Sequence, residues 1–282
     1  MLFVAEVGIN HSGDINIAKE LIDMVCNARS KAGVFDSDVV VKFQKRDVES
    51  CVPKHMWNKI KYDTPWGDIS YIDYKRKIEF GKEEFDEIDN YCKEKNIRWS
   101  TSVWDIKSLE FIMGYDVPFI KIPSAMVTNI PLLKAVKKIG KPIFMSLGMS
   151  SFEEINKAVK VLEGSDLTIL WCNSSYPASD YELDLRMIPE LKYMFPDCII
   201  GYSGHEVGIS PAILARVLGA EVIEKHVTLD RCMWGTDQAA SLPYDQLYRL
   251  IRDISKVPVW LGKKEVVVYP SEEKVRDKLR WM

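Results

Sequence analysis

Residues 119–146 read FIKIPSAMVTNIPLLKAVKKIGKPIFMS, and the fold turns on this stretch. The short apolar run at 119–122 reads as a strand and the amphipathic segment at 130–139 as a helix. Gly140-Lys141-Pro142 is a helix exit feeding a second apolar run at 143–146. Strand, helix and strand in that order make the βαβ unit of a parallel sheet. The pattern repeats outward on both sides. Upstream, strands are expected at 4–7, 39–43 and 98–103, with helices at 17–32, 83–95 and 107–113. Downstream, strands fall at 167–172, 199–202 and 222–226, with helices at 152–162, 185–195, 211–218 and 244–254. The runs are apolar on both faces, as buried parallel strands are. Eight such units predict an α/β chain folded as a single (β/α)8 TIM barrel over 1–255, with a C-terminal tail at 256–282. An open doubly wound sheet is the alternative, but no G-x-G-x-x-G follows any strand.

Composition bounds the rest. The chain has 282 residues, 47% of them hydrophobic and 28% charged, which suits a large globular core and excludes a disordered or fibrous chain. A net charge of −3 builds no positive field, so nucleic acid is a poor partner and small molecules are better ones. The six cysteines form no C-x-x-C pair, which argues against a disulfide framework or structural zinc site and for a reducing compartment. No apolar run is long enough to span a membrane, and MLFVAEVGIN is not a signal peptide. A cytoplasmic location is expected. One long insertion breaks the repeat at 46–80, carrying Trp57, Tyr62, Trp66, Tyr71 and Tyr74. It is expected over the barrel mouth as a wall or lid, or else as an oligomer contact.

In a barrel of this kind the chemistry projects from the carboxyl ends of the strands. Those ends offer Glu6 with Asn10 and His11, Lys42 with Gln44, Thr101, Lys121 with Ser124, and Ser146. Ser174 with Tyr176, Ser203 with His205, and His226 with Asp237 beyond it complete the round. His205 and His226 close neighbouring strands about 5 Å apart, so both rings are placed to reach one cation; two packing histidines are the alternative. His55 lies in the insertion and is incidental. Lys42 and Lys121 sit inside apolar strands, where an unpaired lysine is costly. Either is a candidate Schiff-base amine; together they read better as anion binders, with the hydroxyls around them completing a phosphate and carboxylate site.

With those residues in view, the chain resembles the sialic acid synthases. The resemblance runs over about residues 3–250 through AEVGINHSG at 5–13, VKFQ at 41–44, STS at 100–102, IKIPS at 120–124 and SLGM at 146–149. It continues through CNSSYP at 172–177, GYSGHE at 201–206 and EKHVT at 224–228. It implies a (β/α)8 barrel that condenses phosphoenolpyruvate with a sugar aldehyde, giving a 2-keto-3-deoxy sugar acid and phosphate. It implies a divalent cation, usually manganese, with magnesium or cobalt as alternatives, on His205 and His226. It places phosphoenolpyruvate on Lys42, Thr101, Lys121, Ser124, Ser146, Ser174 and Ser203, and the sugar on Glu6, Gln44, Tyr176 and Asp237, with Glu6 managing protons. Family members commonly form homodimers with barrels mouth to mouth. Three expected departures bear on the sugar: Met126 stands where a Glu is frequent, Gly204 stands where an Asp usually precedes the metal histidine, and a barrel working without the family's C-terminal antifreeze-like domain is expected. The expected acceptor is therefore a sugar other than N-acetylmannosamine. A pyruvate aldolase using a lysine imine and a non-catalytic sugar-phosphate-binding barrel are the competing readings.

Overall fold

The computed structural model describes residues 1–280. In chain order the elements are β1 (Leu2–Gly8), α1 (Ile15–Ala32), β2 (Val39–Lys45), α2 (Val48–Cys51), β3 (Ile60–Thr64), β4 (Gly67–Ser70) and α3 (Tyr71–Ile78). Then come α4 (Lys82–Glu94), β5 (Arg98–Val103), α5 (Ile106–Ile112), β6 (Ile120–Ile122), α6 (Ile130–Ile139), β7 (Ile143–Ser146) and α7 (Phe152–Leu162). The series ends with β8 (Leu167–Trp171), α8 (Met187–Met194), β9 (Ile199–Gly204), α9 (Ser210–Val217), β10 (Val222–His226), α10 (Tyr244–Leu261) and α11 (Pro270–Leu279). Eight parallel strands close in the order β1-β10-β9-β8-β7-β6-β5-β2, so the barrel is confirmed and the open sheet is not formed. In the deciding stretch, Asn129 caps α6 by accepting from the Leu132 amide at 3.2 Å. Gly140, at φ 74°, ends the helix in a left-handed turn that residues with a Cβ adopt poorly.

Two cores follow from the alternation of strand side chains. Outward residues such as Phe3, Val41, Trp99, Ile122 and Met145 join the helices in one continuous cluster. Inward ones near the amino ends (Val4, Val40, Phe119, Phe144, Leu170 and Val222) form an apolar plug, with Phe119 and Phe144 stacked 3.9 Å apart. The next inward position along each strand lies two residues higher, and there the polar residues begin. The plug is thus the floor of whatever the barrel holds.

The tail and insertion differ from expectation. α10 runs on to Leu261, seven residues beyond the expected end; of the added residues Val257 is buried and Pro258 to Leu261 are exposed. α11 buries nothing, and residues 281–282 lie outside the described part. In the insertion, β3 and β4 form a hairpin, and Val48, Val52 and Ile72 make a small core that takes in Trp57. Trp57 donates to the Val52 carbonyl at 2.9 Å, so it faces this core and not the barrel mouth. Trp66 and Tyr74 instead pack edge-on against Trp234, in the loop after β10.

Behind the barrel wall lies a fully buried ion pair. Lys225 donates to a Glu206 carboxylate oxygen at 2.9 Å and to the Glu206 carbonyl at 2.7 Å, and the Tyr202 hydroxyl donates to the other carboxylate oxygen at 2.8 Å. Gly204 makes room: a Cβ there would stand 2.6 Å from that carboxylate. The departure at Gly204 is therefore matched by Glu206 filling the space. Removing one partner strands a buried charge, so Lys225→Met should cost about 3–5 kcal/mol in urea unfolding. Adding Glu206→Gln to that variant should recover much of the loss, because no ion is then left unpaired.

Candidate active site

Above the apolar plug is a cavity of about 140 Å³ lined from all eight strands or the loops that follow them. Of the residues expected from sequence, Glu6, Lys42, Lys121, Ser124, Ser146, Ser174, Tyr176, Ser203, His205 and His226 all line it. Gln44, in the same inward phase as Lys42, does not line the cavity itself but donates to Glu6 at 3.1 Å. Asp237 reaches it through His226, with its carboxylate 3.9 Å from the ring Nδ1. Thr101 is the exception. Lys42 pairs in register with Ser100 and Gln44 with Ser102, so the inward residues of β5 are the serines and Thr101 faces the helices. Ser102, not Thr101, accepts from Lys42, at 2.8 Å.

Glu224 is the residue that the sequence reading passed over. It lies two positions before His226, in the same inward phase, and both its oxygens accept from Lys121 at 2.9 Å. Ser203 donates to it at 3.0 Å, and Lys42 stands 3.8 Å away. Lys42 is also ion-paired with Glu6. The floor of the cavity is thus two lysines and two carboxylates, formally neutral and almost wholly buried. The two carboxylates differ in proton affinity. Burial pushes Glu6 well above the usual carboxylate range despite Lys42. Burial acts on Glu224 too, but Lys121 and Lys42 together outweigh it and hold that group low. One carboxyl is poised to carry a proton and its neighbour to stay ionised.

The histidines form the upper rim. Their ring centroids are 5.6 Å apart. Burial drives His205 down to about 4 and His226 to about 3, so both imidazoles are neutral at pH 7. His205 shares one ring nitrogen with the Asn173 carbonyl and the other with the Tyr176 hydroxyl, 2.9 Å away. The Nδ1 of His226 is buried and has no hydrogen-bond partner. Neutral imidazoles and an orphaned ring nitrogen fit a cation held by two protein donors, leaving other positions for water and substrate. Among the described residues no group of three or more His, Cys, Asp or Glu gathers for such a role. His11 takes no part: it stacks on Phe80 at 3.8 Å and accepts from the Gly13 amide. Met126 does not line the cavity either; it packs on the outer core and accepts from Asn129 at 3.7 Å.

A parallel barrel with its polar cavity at the carboxyl ends of the strands is the arrangement of the (β/α)8 enzymes. The chain belongs to the NeuB family, whose model matches residues 29–266. It is 34% identical to human N-acetylneuraminate-9-phosphate synthase over 98% of this chain and 75% of that protein. It is 33% identical to the N,N'-diacetyllegionaminic acid synthase of Campylobacter jejuni, over 97% and 81%. The N-acetylneuraminic acid synthetase of Leptospira borgpetersenii, solved in complex with citrate, superposes with a TM-score of 0.83. That match has 30% identity and covers 100% of this chain and 93% of the other. Among the described residues no helix is long and apolar enough to cross a membrane.

Burial of neutral histidines has a consequence in acid. His11, His205 and His226 all titrate well below their ordinary value near 6.5, so below that pH the unfolded chain binds protons the folded one refuses. Their contribution to stability is complete above pH 6.5 and is lost as pH falls towards 3–4, each group costing about 1.4 kcal/mol per unit. Glu6, shifted upward, opposes roughly one of the three. Urea midpoints should therefore fall between pH 6.5 and 5 with a net slope of about two protons. His11→Phe should lower that slope by about one proton; an unchanged slope would contradict the assignment.

Proposed function

We propose that the protein condenses phosphoenolpyruvate with the aldehyde of an open-chain sugar, giving a 2-keto-3-deoxy sugar acid of the nonulosonate type and phosphate. The observation that carries this reading is the convergence of Lys42, Lys121, Ser102, Ser124, Ser146, Ser174 and Ser203 around one small cavity beneath two neutral histidines. At about 30 Å³ per water, 140 Å³ holds roughly five waters, the size of a three-carbon phosphate. The sugar must then enter from above, on the Tyr176 and Asp237 side.

Charge supports the same substrate. The lysine–carboxylate floor cancels to zero, while phosphoenolpyruvate is a polyanion. His205 and His226 would hold a divalent cation, with manganese the first choice and magnesium or cobalt alternatives, to supply positive charge and polarise the acceptor carbonyl. Lys42 and Lys121, released in part from their carboxylates, turn towards phosphate and carboxylate as compact point charges. C3 of the enol attacks the aldehyde carbon, and Glu6, the carboxyl that favours its proton, protonates the oxygen that becomes the new hydroxyl. Water adds at C2, its surplus proton leaves, and the C2–O bond to phosphate breaks to give the ketone. The serines hydrogen-bond the anionic groups throughout. Burial lowers the proton affinity of Lys121, but its amine is engaged by both oxygens of Glu224, which holds it in an ion pair and away from a carbonyl carbon.

Phosphate release from phosphoenolpyruvate with a panel of aldoses and N-acylated hexosamines tests the reading. Turnover should stop in chelator and return with manganese. Borohydride with pyruvate should label nothing. Lys121→Ala should raise the KM for phosphoenolpyruvate at least about tenfold while the KM for the sugar changes far less. Full activity in chelator, or a trapped lysine, would overturn the mechanism.

A further inference from the structure

One polar group on the cavity wall has no task in the condensation chemistry. Trp104 directly follows β5 and lines the cavity together with Ser102, Pro123 and Ser124. Its indole Nε1 is buried and, among the described residues, meets no hydrogen-bond acceptor. Buried donors are almost always paired, because leaving one open is costly. An unpaired donor on a residue of a polar cavity points to an acceptor that a ligand supplies.

Its neighbours fix the indole in place. The Trp104 amide donates to the Lys45 carbonyl at 3.2 Å, extending the pairing of β2 with β5 by one rung. Asp105, the next residue, caps α5 by accepting from the Ser108 amide at 2.8 Å, and it accepts from the Asp47 amide at 2.8 Å. Arg46 stacks on the ring, with its guanidinium 4.4 Å from the ring centre. Arg46 does not line the cavity; it donates to Gln44 and stands 3.6 Å from Glu79. It therefore acts on a ligand only through the indole. A cation on an aromatic face draws electron density from it, which makes the N–H a stronger donor without bringing a full charge into the cavity.

Barrel closure says which part of a ligand this donor meets. In the ring of eight strands β5 stands opposite β9, the strand that leads to His205. Trp104 and the histidine rim are thus on opposite sides of one small cavity. Phosphoenolpyruvate with C3 turned to the histidines, where the aldehyde is polarised, presents its anionic end to β5. Two hydroxyls share that side. Ser102 accepts from Lys42 at 2.8 Å and Ser124 from the Gly148 amide at 3.0 Å, so the hydroxyl hydrogens can turn to a ligand. Three donors suit the three non-bridging oxygens of a phosphoryl group better than the two oxygens of a carboxylate. We infer that the Trp104 indole N–H is a substrate contact, donating to a non-bridging phosphoryl oxygen of phosphoenolpyruvate. The assignment rests on the condensation proposed above and adds a donor for its first substrate.

Trp104→Phe keeps an aromatic ring and removes the donor. In calorimetric titration it should weaken binding of phosphoenolpyruvate and of inorganic phosphate about tenfold each, and binding of pyruvate less than about twofold. In the phosphate-release assay the KM for phosphoenolpyruvate should rise about tenfold, while that for the acceptor sugar stays within about twofold. A wild-type crystal soaked with phosphoenolpyruvate reads the contact without a variant: a phosphoryl oxygen should lie about 2.9 Å from Trp104 Nε1. Unchanged affinity in Trp104→Phe, or a phosphoryl group held away from Nε1, would overturn the contact and leave the condensation standing. An equal loss for pyruvate would overturn the phosphoryl assignment. Phosphoenolpyruvate bound at Trp104 with no turnover of any acceptor would instead overturn the condensation and leave the contact standing.

Discussion

Closure of eight parallel strands forces every second side chain into a space with no solvent, and the rest of this molecule answers that constraint. The lower inward positions meet it with Val4, Val40, Phe119, Phe144, Leu170 and Val222. One step higher the inward residues are Glu6, Lys42, Lys121, Ser203 and Glu224, where each charge survives only by pairing with its neighbour. Another step up, His205 and His226 meet it by staying neutral. Polarity therefore rises layer by layer from floor to rim, and the site lies where burial ends.

The same alternation sends intervening residues outward, and there too polarity is matched in place. Glu206 and Lys225 follow or precede the two rim histidines by one residue and are tied together behind them. A buried pair of this kind adds little net stability compared with apolar packing, but it disfavours any other register between β9 and β10. Fixing that register fixes the spacing of the histidines on the opposite face. The inner and outer networks are two consequences of one strand pairing.

Much of this was legible in the sequence. A lysine inside an apolar strand is costly enough to stand out, so Lys42 and Lys121 were readable. The two late histidines were readable because they end neighbouring strands. What could not be read was phase. Thr101 and Ser102 are adjacent and equally polar, and only the pairing of Gln44 with Ser102 decides which points inward. Glu224 was hidden for a related reason: within EKH the acid looks like ordinary strand punctuation until register places it beside Lys121. Trp57 and Met126 carried expectations about the sugar, but contacts within the insertion and with the outer core hold them away from the cavity.

The central claim is that this charge-balanced floor is a receptor for phosphoenolpyruvate, with the acceptor's aldehyde carried above it under the histidines. The most direct test is a crystal structure of the protein soaked at neutral pH with phosphoenolpyruvate and manganese. The account predicts the phosphate and carboxylate on Lys42, Lys121 and the serines of the cavity, the ion on His205 and His226, and C3 of the enol turned towards the ion. Phosphoenolpyruvate bound elsewhere, or the ion held away from the two histidines, would contradict it.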